Sequence, residues 1–326
     1  MAYNLKEVVQ KESRFVSGHR MCAGCGAPPA VRTILRALKE EDHAVVACAT
    51  GCLEVSSFLF PYNSWKNVSF IHSAFACAAA TLSGAETAYH KLKKDGKIPQ
   101  NRTTKFLAFG GDGGTLDIGL QSLSGAMERG HDLTYICYDN GAYMNTGTQR
   151  SSSTPHYADT TTSPAGKIVQ GKYQKRKDLA EIMIHHNLPY VAQTALFGNQ
   201  KDIYEKAQKA IYTQGPTFLN VFAPCPRGWG YPTDDLQMIE KLAIDTCFWP
   251  LYEVVNGVYK ITYRPPRKLP VEEFLKTQKR FKHLFSEENK YLIEQIQKEI
   301  DEKWDYLQKM EEITNQSVQD VSEENK

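Results

Sequence analysis

Two short segments carry most of the chemistry in this chain: Gly111-Asp112-Gly113-Gly114 and Asp139-Asn140-Gly141-Ala142-Tyr143-Met144-Asn145. Each closes an apolar run that reads as a strand, residues 106–109 in the first case and 133–138 in the second. A buried diphosphate needs backbone N–H donors that approach closely, and glycine permits that approach. It also needs a hard cation with oxygen ligands. The Asp112 carboxylate, the Asn140 amide oxygen and a backbone carbonyl near Ala142 can supply them. Together these residues predict a Mg2+-bound diphosphate. Loops at the carboxyl ends of parallel strands are where open α/β sheets bind such ligands.

The cysteines point to a second centre. Cys22-Ala23-Gly24-Cys25 places two thiols within reach of one centre, and Cys52 and Cys225 each follow a predicted strand. Loops at strand ends converge on one sheet edge, so a four-thiolate site is expected. Zinc accepts four thiolates, but structural zinc usually draws on two local pairs, and only one pair is present. Cys225 precedes Pro226, as in ferredoxin-type ligation, which favours a [4Fe–4S] cluster. Cys48, Cys77, Cys137 and Cys247 lie in apolar or Ala-rich surroundings and read as small buried hydrophobes.

The elements that must position these groups alternate between strand and helix. Residues 29–38 and 73–90 read as helices, 44–49 as a buried strand, and 117–127 as the helix after the glycine loop. Residues 178–186 and 200–212 read as helices, 190–192 and 217–222 as strands. The pattern predicts an α/β fold with a mostly parallel sheet flanked by helices, ending near Ala223. Residues 151–166, rich in Ser, Thr, Pro and Gly, read as a long functional loop or a flexible spacer. Two β-rich runs around Asn256-Gly257 predict a hairpin. Charged amphipathic helices near 271–284 and 287–311 follow, as a partner-clasping arm or a solvated extension. The expected division is an α/β domain over residues 1–249 and a hairpin with a helical arm over 250–326.

Composition narrows the class. With 39 Lys and Arg against 37 Asp and Glu, there is no electrostatic case for nucleic acid or an anionic membrane. The start of the chain is polar, without the apolar core of a signal peptide, and the apolar stretch 74–82 is too short to span a bilayer. The expected compartment is the cytoplasm, where disulfides are rare.

Taken together the motifs resemble the thiamine-diphosphate-binding β subunits of 2-oxoacid:ferredoxin oxidoreductases, most nearly the pyruvate type. The resemblance runs through Cys22-Ala-Gly-Cys25-Gly, Ala49-Thr-Gly-Cys52, the Gly111–Gly114 loop, Asn140 to Gln149, Ser152-Ser-Thr-Pro155 and Pro224-Cys-Pro226. It reaches into the tail at Arg280-Phe281-Lys282-His283-Leu284. It implies a thiamine-diphosphate-binding fold in which Asp112, Asn140 and the Ala142 carbonyl hold Mg2+ and Gly111, Gly113 and Gly114 approach the diphosphate. Gly51, Cys52 and Phe75 would lie against the cofactor, with Asn145 and Thr146 at the reacting end. Cys22, Cys25, Cys52 and Cys225 would hold a [4Fe–4S] cluster.

The resemblance also implies α, γ and ferredoxin-like δ partner subunits, with ferredoxin as final electron acceptor. The glutamate that activates the cofactor would come from the α-type chain. Glu54 is a local alternative that reads equally well as a helix-start carboxylate. The implied reaction decarboxylates a 2-oxoacid, passes electrons singly to the cluster, and in the pyruvate case transfers the acyl group to coenzyme A. Pyruvate is the first choice, with a branched-chain 2-oxoacid or oxalate as alternatives. A non-redox thiamine-diphosphate decarboxylase is the rival, and it leaves the four cysteines unexplained. His19, Arg20, His72 and Arg150 lie near the motifs without a role read for them, and His185-His186 reads as structural.

Overall fold

Six segments rich in aliphatic, aromatic and small residues form a parallel sheet: β1 (His43–Ala49), β2 (Ser69–Ser73), β3 (Thr104–Gly111), β4 (Thr134–Asp139), β5 (Tyr190–Thr194) and β6 (Thr217–Phe222). The computed structural model describes residues 3–197 and 199–324, with side chains of the last helix described through Ser317. Two further strands extend the sheet: β7 (Tyr252–Val255) pairs antiparallel with β5, and β8 (Val258–Ile261) antiparallel with β7. The strand order is β2-β1-β3-β4-β6-β5-β7-β8. β4 and β6 are buried at every position, as expected of strands covered on both faces.

The helices, in chain order, are α1 (Leu5–Gln10), α2 (Ala27–Arg36), α3 (Cys52–Ser57), α4 (Ala78–Lys94), α5 (Leu120–Glu128), α6 (Leu179–Ile184), α7 (Gln200–Tyr212), α8 (Pro226–Trp229), α9 (Leu236–Asp245), α10 (Glu272–Leu275) and α11 (Lys290–Glu324). Alternate strand residues feed opposite cores. Val46, Cys48, Leu107, Phe109, Leu219 and Val221 pack with Ile34 and Leu35 of α2 and Ile203 of α7. Ala47, Ala108, Tyr135 and Phe218 pack on the other face with Leu82 of α4, Leu123 of α5 and Leu179 of α6.

Register aligns the site. Cys48 pairs with Phe109, Gly111 with Tyr138, and Asp139 with Phe222. The carboxyl ends of β1, β3, β4 and β6 therefore lie level on one edge, so Cys52, Asp112, Asn140 and Cys225 emerge side by side. From β1 the chain turns to β2 on one side, then crosses to β3 on the other. That reversal leaves a crevice between β1 and β3, where ligands bind in open α/β sheets.

Several elements differ from the sequence expectation. Ser73 closes β2, an edge strand, and the helix begins only at Ala78. The chain leaves β3 through a π-helical turn (Gly113–Asp117) before α5. The sheet does not end near Ala223, because the Asn256-Gly257 hairpin extends it. The helix expected over 271–284 breaks at Gln278, which is extended, and resumes as a 3-10 segment (Lys279–Phe285). Gln278 accepts from Arg280 Nε at 2.8 Å and donates to the Phe274 carbonyl at 3.0 Å, which stabilises the break. Cys77 is exposed at the start of α4, whereas Cys48, Cys137 and Cys247 are buried as expected. Among the described residues no helix is long and apolar enough to cross a membrane.

Glu240 of α9 is fully buried, and one of its oxygens accepts the Phe197 N–H at 2.7 Å. Desolvation raises its pKa from 4.5 to about 8, against the backbone hydrogen bonds that lower it. The folded state thus holds this proton more tightly than the unfolded chain. Its contribution to stability is intact below about pH 4.5 and is lost as pH rises through about 8. Glu240→Gln is expected to remove a stability slope of up to about 1.4 kcal/mol per pH unit in that window. Denaturant titrations of the two proteins at pH 5 and pH 9 check this.

Candidate functional site

A cleft of about 110 Å3 opens between the ends of β1, β3 and β4. It is lined by Thr50, Gly51, Cys52, Phe75, Gly111, Asp112, Gly113, Gly114, Tyr138, Asn140, Ala142, Tyr143, Met144, Asn145 and Thr146. Every residue that the sequence assigned to cofactor contact or to the reacting end lines this one cleft. Larger hollows lie elsewhere, including one of about 650 Å3 lined by Lys11, Arg14, Asp42 and Arg102, but none of these motif residues lines it.

At the floor, one terminal atom of the Asn140 amide lies 2.8 Å from the Ala142 carbonyl oxygen and 3.0 Å from Asp112 Oδ1. In this orientation the atom is the amide oxygen, facing two other oxygens. Turning the amide would put its NH2 there and form two hydrogen bonds. A cation reverses that preference. Mg2+ binds oxygens at about 2.0–2.1 Å, which puts adjacent octahedral ligands about 3 Å apart. The spacing of the three groups fits such an ion when the amide presents its oxygen.

Asp112 is fully buried, and desolvation, reinforced by the neighbouring Asp139 charge, pushes its pKa well up. Hydrogen bonds from Ser151 and the Asn140 N–H act in the opposite direction. A bound cation would complete the shift to carboxylate. The loop after β4 supports the floor through three consecutive serines. Ser151 Oγ donates to Asp112 Oδ2, Ser152 Oγ to Asp117 Oδ1, and Ser153 Oγ to Asp139 at 2.6 Å. Lys172 ties this loop down: its buried Nζ donates to the Thr154 and Ser152 carbonyls at 2.6 and 3.1 Å. Burial pulls the Lys172 pKa down to about 8. Arg176 pairs with Asp139 and stacks over Trp249 at 4.5 Å. The sequence reading singled out none of Ser151, Lys172 and Arg176 for a role; the Ser/Thr density of 151–154 was the available signal.

The glycines are needed for a further reason. A Cβ on Gly113 would meet the Tyr143 ring at 2.4 Å, and one on Gly114 the Phe75 ring at 2.9 Å. The Tyr143 hydroxyl donates to Asp117 Oδ2 at 2.9 Å and fixes its ring there. Two aromatic walls thus close on the glycine turn.

The four cysteines meet beside this cleft. The Gly26 N–H donates to the Pro224 carbonyl at 3.0 Å, which seats the Cys22–Cys25 loop against Cys225. The Tyr231 hydroxyl donates to the Gly24 carbonyl at 2.9 Å, and Gly24, at φ +75°, lies so close to Thr233 that a Cβ would sit 2.4 Å from its carbonyl oxygen. Cys25 lies within electrostatic reach of Cys22, Cys52 and Cys225. Burial first, then these neighbours, push the Cys25 and Cys52 thiols up to about 12. Cys225 is raised by burial, opposed by N–H donors on Gly228 and Arg227. Cys25 likewise receives the Ala27 N–H. Such N–H donors suit thiolates, and a metal centre would drive the deprotonation. Among the described residues no three His, Cys, Asp or Glu side chains converge tightly enough for a single metal ion. Cys52 belongs both to the cleft lining and to the cysteine group, and its Sγ lies 3.8 Å from Asn145 Oδ1.

Other candidates fall outside the cleft. Glu54 is buried behind it, against His72, with burial raising its pKa. The His19 ring stacks on Phe15, and the Arg20 N–H donates to Ser56. Arg150 is exposed. His186 is held by Ser124 at 2.8 Å.

Residues 49–221 match the thiamine pyrophosphate enzyme family, C-terminal TPP-binding domain. The chain is 48% identical to pyruvate synthase subunit PorB of Thermotoga maritima over 96% of its own length and 98% of that protein. It is 51% identical to the PorB subunit of Methanocaldococcus jannaschii over 90% and 96%. It is also 43% identical to ketoisovalerate oxidoreductase subunit VorB of Pyrococcus horikoshii over 93% and 94%. A solved 2-oxoglutarate:ferredoxin oxidoreductase from Magnetococcus marinus shares the fold, with a TM-score of 0.52, 22% identity, and coverage of 64% of this chain and 65% of that one. From the match across nearly the whole chain and the thiamine pyrophosphate domain at the strand-end cleft, the chain belongs to the β subunits of 2-oxoacid:ferredoxin oxidoreductases, of the pyruvate synthase type.

Proposed function

We propose that this chain holds thiamine diphosphate through Mg2+ and a [4Fe–4S] cluster beside it, and that with its partners it oxidatively decarboxylates pyruvate. Bound thiamine diphosphate supplies a carbanion that allows loss of the substrate carboxylate as CO2, and the cluster supplies a one-electron acceptor. Asp112, Asn140 and the Ala142 carbonyl would hold the cation, supported by their convergence at 2.8 and 3.0 Å. Gly111, Gly113 and Gly114 would face the diphosphate, and Gly51, Cys52 and Phe75 would line the ring end. Asn145 and Thr146, at the open rim, would face the reacting carbon.

Cys22, Cys25, Cys52 and Cys225 would each ligate one iron. Their mutual neighbourhood, with Cys225 directly before Pro226, supports a cluster, in which thiolates sit on separate irons. The observation that carries the reading is the contact of Cys52 with Asn145, because it sets the expected electron donor and acceptor side by side.

The cleft is smaller than the roughly 300–1,000 Å3 of a complete ligand pocket. Glu54 does not line it. Both facts support a site completed by an α-type chain that brings the activating glutamate, within a complex that also carries γ and ferredoxin-like δ subunits and delivers electrons to ferredoxin. Coenzyme A would accept the acyl group. The identities of 44% to PorB and 43% to VorB within Pyrococcus horikoshii leave the branched-chain 2-oxoacid as a second reading.

Oxygen-free purification of the complex, then viologen reduction with a panel of 2-oxoacids with and without coenzyme A, tests the proposal. Coenzyme A-dependent reduction with pyruvate is expected; a preference for 2-oxoisovalerate, or for oxalate without coenzyme A, would overturn the substrate assignment. Ser151→Ala removes a donor to the Asp112 carboxylate. It is expected to weaken Mg2+ affinity about 10–100-fold, read as the Mg2+ dependence of cofactor binding.

A further inference from the structure

The tail motif at Arg280 has no part in the site as described, yet its side chain reaches the wall between the two centres. Arg280 lies on the 3-10 segment Lys279–Phe285 and is only 5% exposed. Its guanidinium stacks on the Trp229 ring at 3.9 Å. Nε donates to Gln278, the Arg280 carbonyl accepts the Asp159 N–H, and Nη1 lies 3.1 Å from where a Cβ on Gly141 would be. The Lys279 side chain packs over Gly230, where a Cβ would come within 2.7 Å of it.

Trp229 is itself a link. Its indole N–H donates to the Asn140 carbonyl at 2.7 Å, and its backbone N–H donates to the Cys225 carbonyl at 2.9 Å. The preceding residue, Gly228, directs its N–H at Cys225 Sγ at 3.3 Å. One residue therefore links the loop that offers Asn140, through its indole, and the loop that offers Cys225, through its backbone, with a buried cation on its ring.

We propose that Arg280 is a positioning residue whose buried charge, held on Trp229, raises the electron affinity of the cluster at Cys225. This rests on the cluster reading above. A cluster held by these thiolates would already carry negative charge, and accepting one electron from the cofactor-bound substrate would add to it. A desolvated positive charge favours the reduced form over the oxidised form, because in a dry interior Coulomb interactions are strong. The charged groups facing Arg280 are Cys225, Asp139 and Asp112, which favour its cationic form, and Arg176, which opposes it. Burial lowers its pKa to about 9, so it remains cationic near neutral pH. Burial of a cation without a lasting electrostatic role would be unfavourable.

The test is an EPR-monitored potentiometric titration of the oxygen-free complex carrying wild-type, Arg280→Met, Arg280→Gln or Arg280→Lys chains, with iron content measured on each. At a fixed potential, the Met and Gln variants are expected to hold a reduced-to-oxidised ratio at least tenfold below wild type, about 59 mV for a one-electron couple. The Lys variant is expected within threefold of wild type. Unshifted ratios in Met and Gln variants with wild-type iron would overturn the proposal. So would a Lys variant shifted as far as they are, since that would make packing the cause. Iron loss from both Met and Gln variants would replace it with a role in cluster retention. A wild-type complex without iron or an EPR signal would instead refute the cluster reading itself.

Discussion

Asp112→Asn is expected to lower kcat/KM of the assembled complex by at least about 10^3-fold, or about 4 kcal/mol of transition-state stabilisation. The substitution keeps the shape of the side chain and an acceptor for Ser151 Oγ. What it removes is the charge in a fully buried position, 3.0 Å from the Asn140 amide, which itself lies 2.8 Å from the Ala142 carbonyl oxygen. Neutral oxygens alone bind a divalent cation weakly at this site, and the diphosphate loses its anchor with it. Binding of thiamine diphosphate should fall in parallel with turnover, while iron content stays at the wild-type level. Turnover within threefold of wild type would mean that the three oxygens do not hold the reactive centre.

Cys52→Ala separates the two centres in the opposite way. Cys52 opens α3, directly after the extended Gly51, and contributes both to the cleft and to the cysteine group. Its loss is expected to lower iron content and to reduce 2-oxoacid-dependent viologen reduction by at least about 10^3-fold. Thiamine diphosphate and Mg2+ binding should weaken far less than in Asp112→Asn, because Cys52 lines only the ring end, while the Asp112 and Asn140 loops that hold the diphosphate rise from β3 and β4. Wild-type iron content together with full viologen reduction would remove Cys52 from the electron path. Taken with Asp112→Asn, the pair distinguishes loss of the carbon chemistry from loss of electron transfer.

Much of the architecture was legible because local pattern decided it. β6 and α7 were expected at their observed bounds, and the Asn256-Gly257 hairpin signal was real, since apolar runs between turn residues leave few alternatives. β2 was missed because an edge strand is half-exposed, and Ser-Phe-Ile-His-Ser has no strong apolar run. That the hairpin joins the main sheet depends on pairing with β5, about sixty residues away, which no local window contains.

The same division holds in the site. That Asp112 and Asn140 share one cleft, and that the four cysteines neighbour one another beside it, was readable from motif and spacing. Their supports were not. Ser151 reaches Asp112 across 39 residues, and Arg176 reaches Asp139 across 37. Arg280 comes from a segment read as a plain amphipathic helix, whose break at Gln278 turns a charged side chain inward. These contacts arise from packing after the sheet has formed, so no periodicity marks them in advance.

The central claim is that the carbon chemistry and the electron acceptor lie in contact on this chain. Rapid oxygen-free mixing of the assembled, cofactor-loaded complex with pyruvate, following cluster absorbance and CO2 release in one turnover, tests it most directly. Cluster bleaching is expected to accompany CO2 release, with both lost in Asp112→Asn and only the bleaching lost in Cys52→Ala. Stoichiometric CO2 release by the wild-type complex with an unchanged cluster spectrum would contradict it.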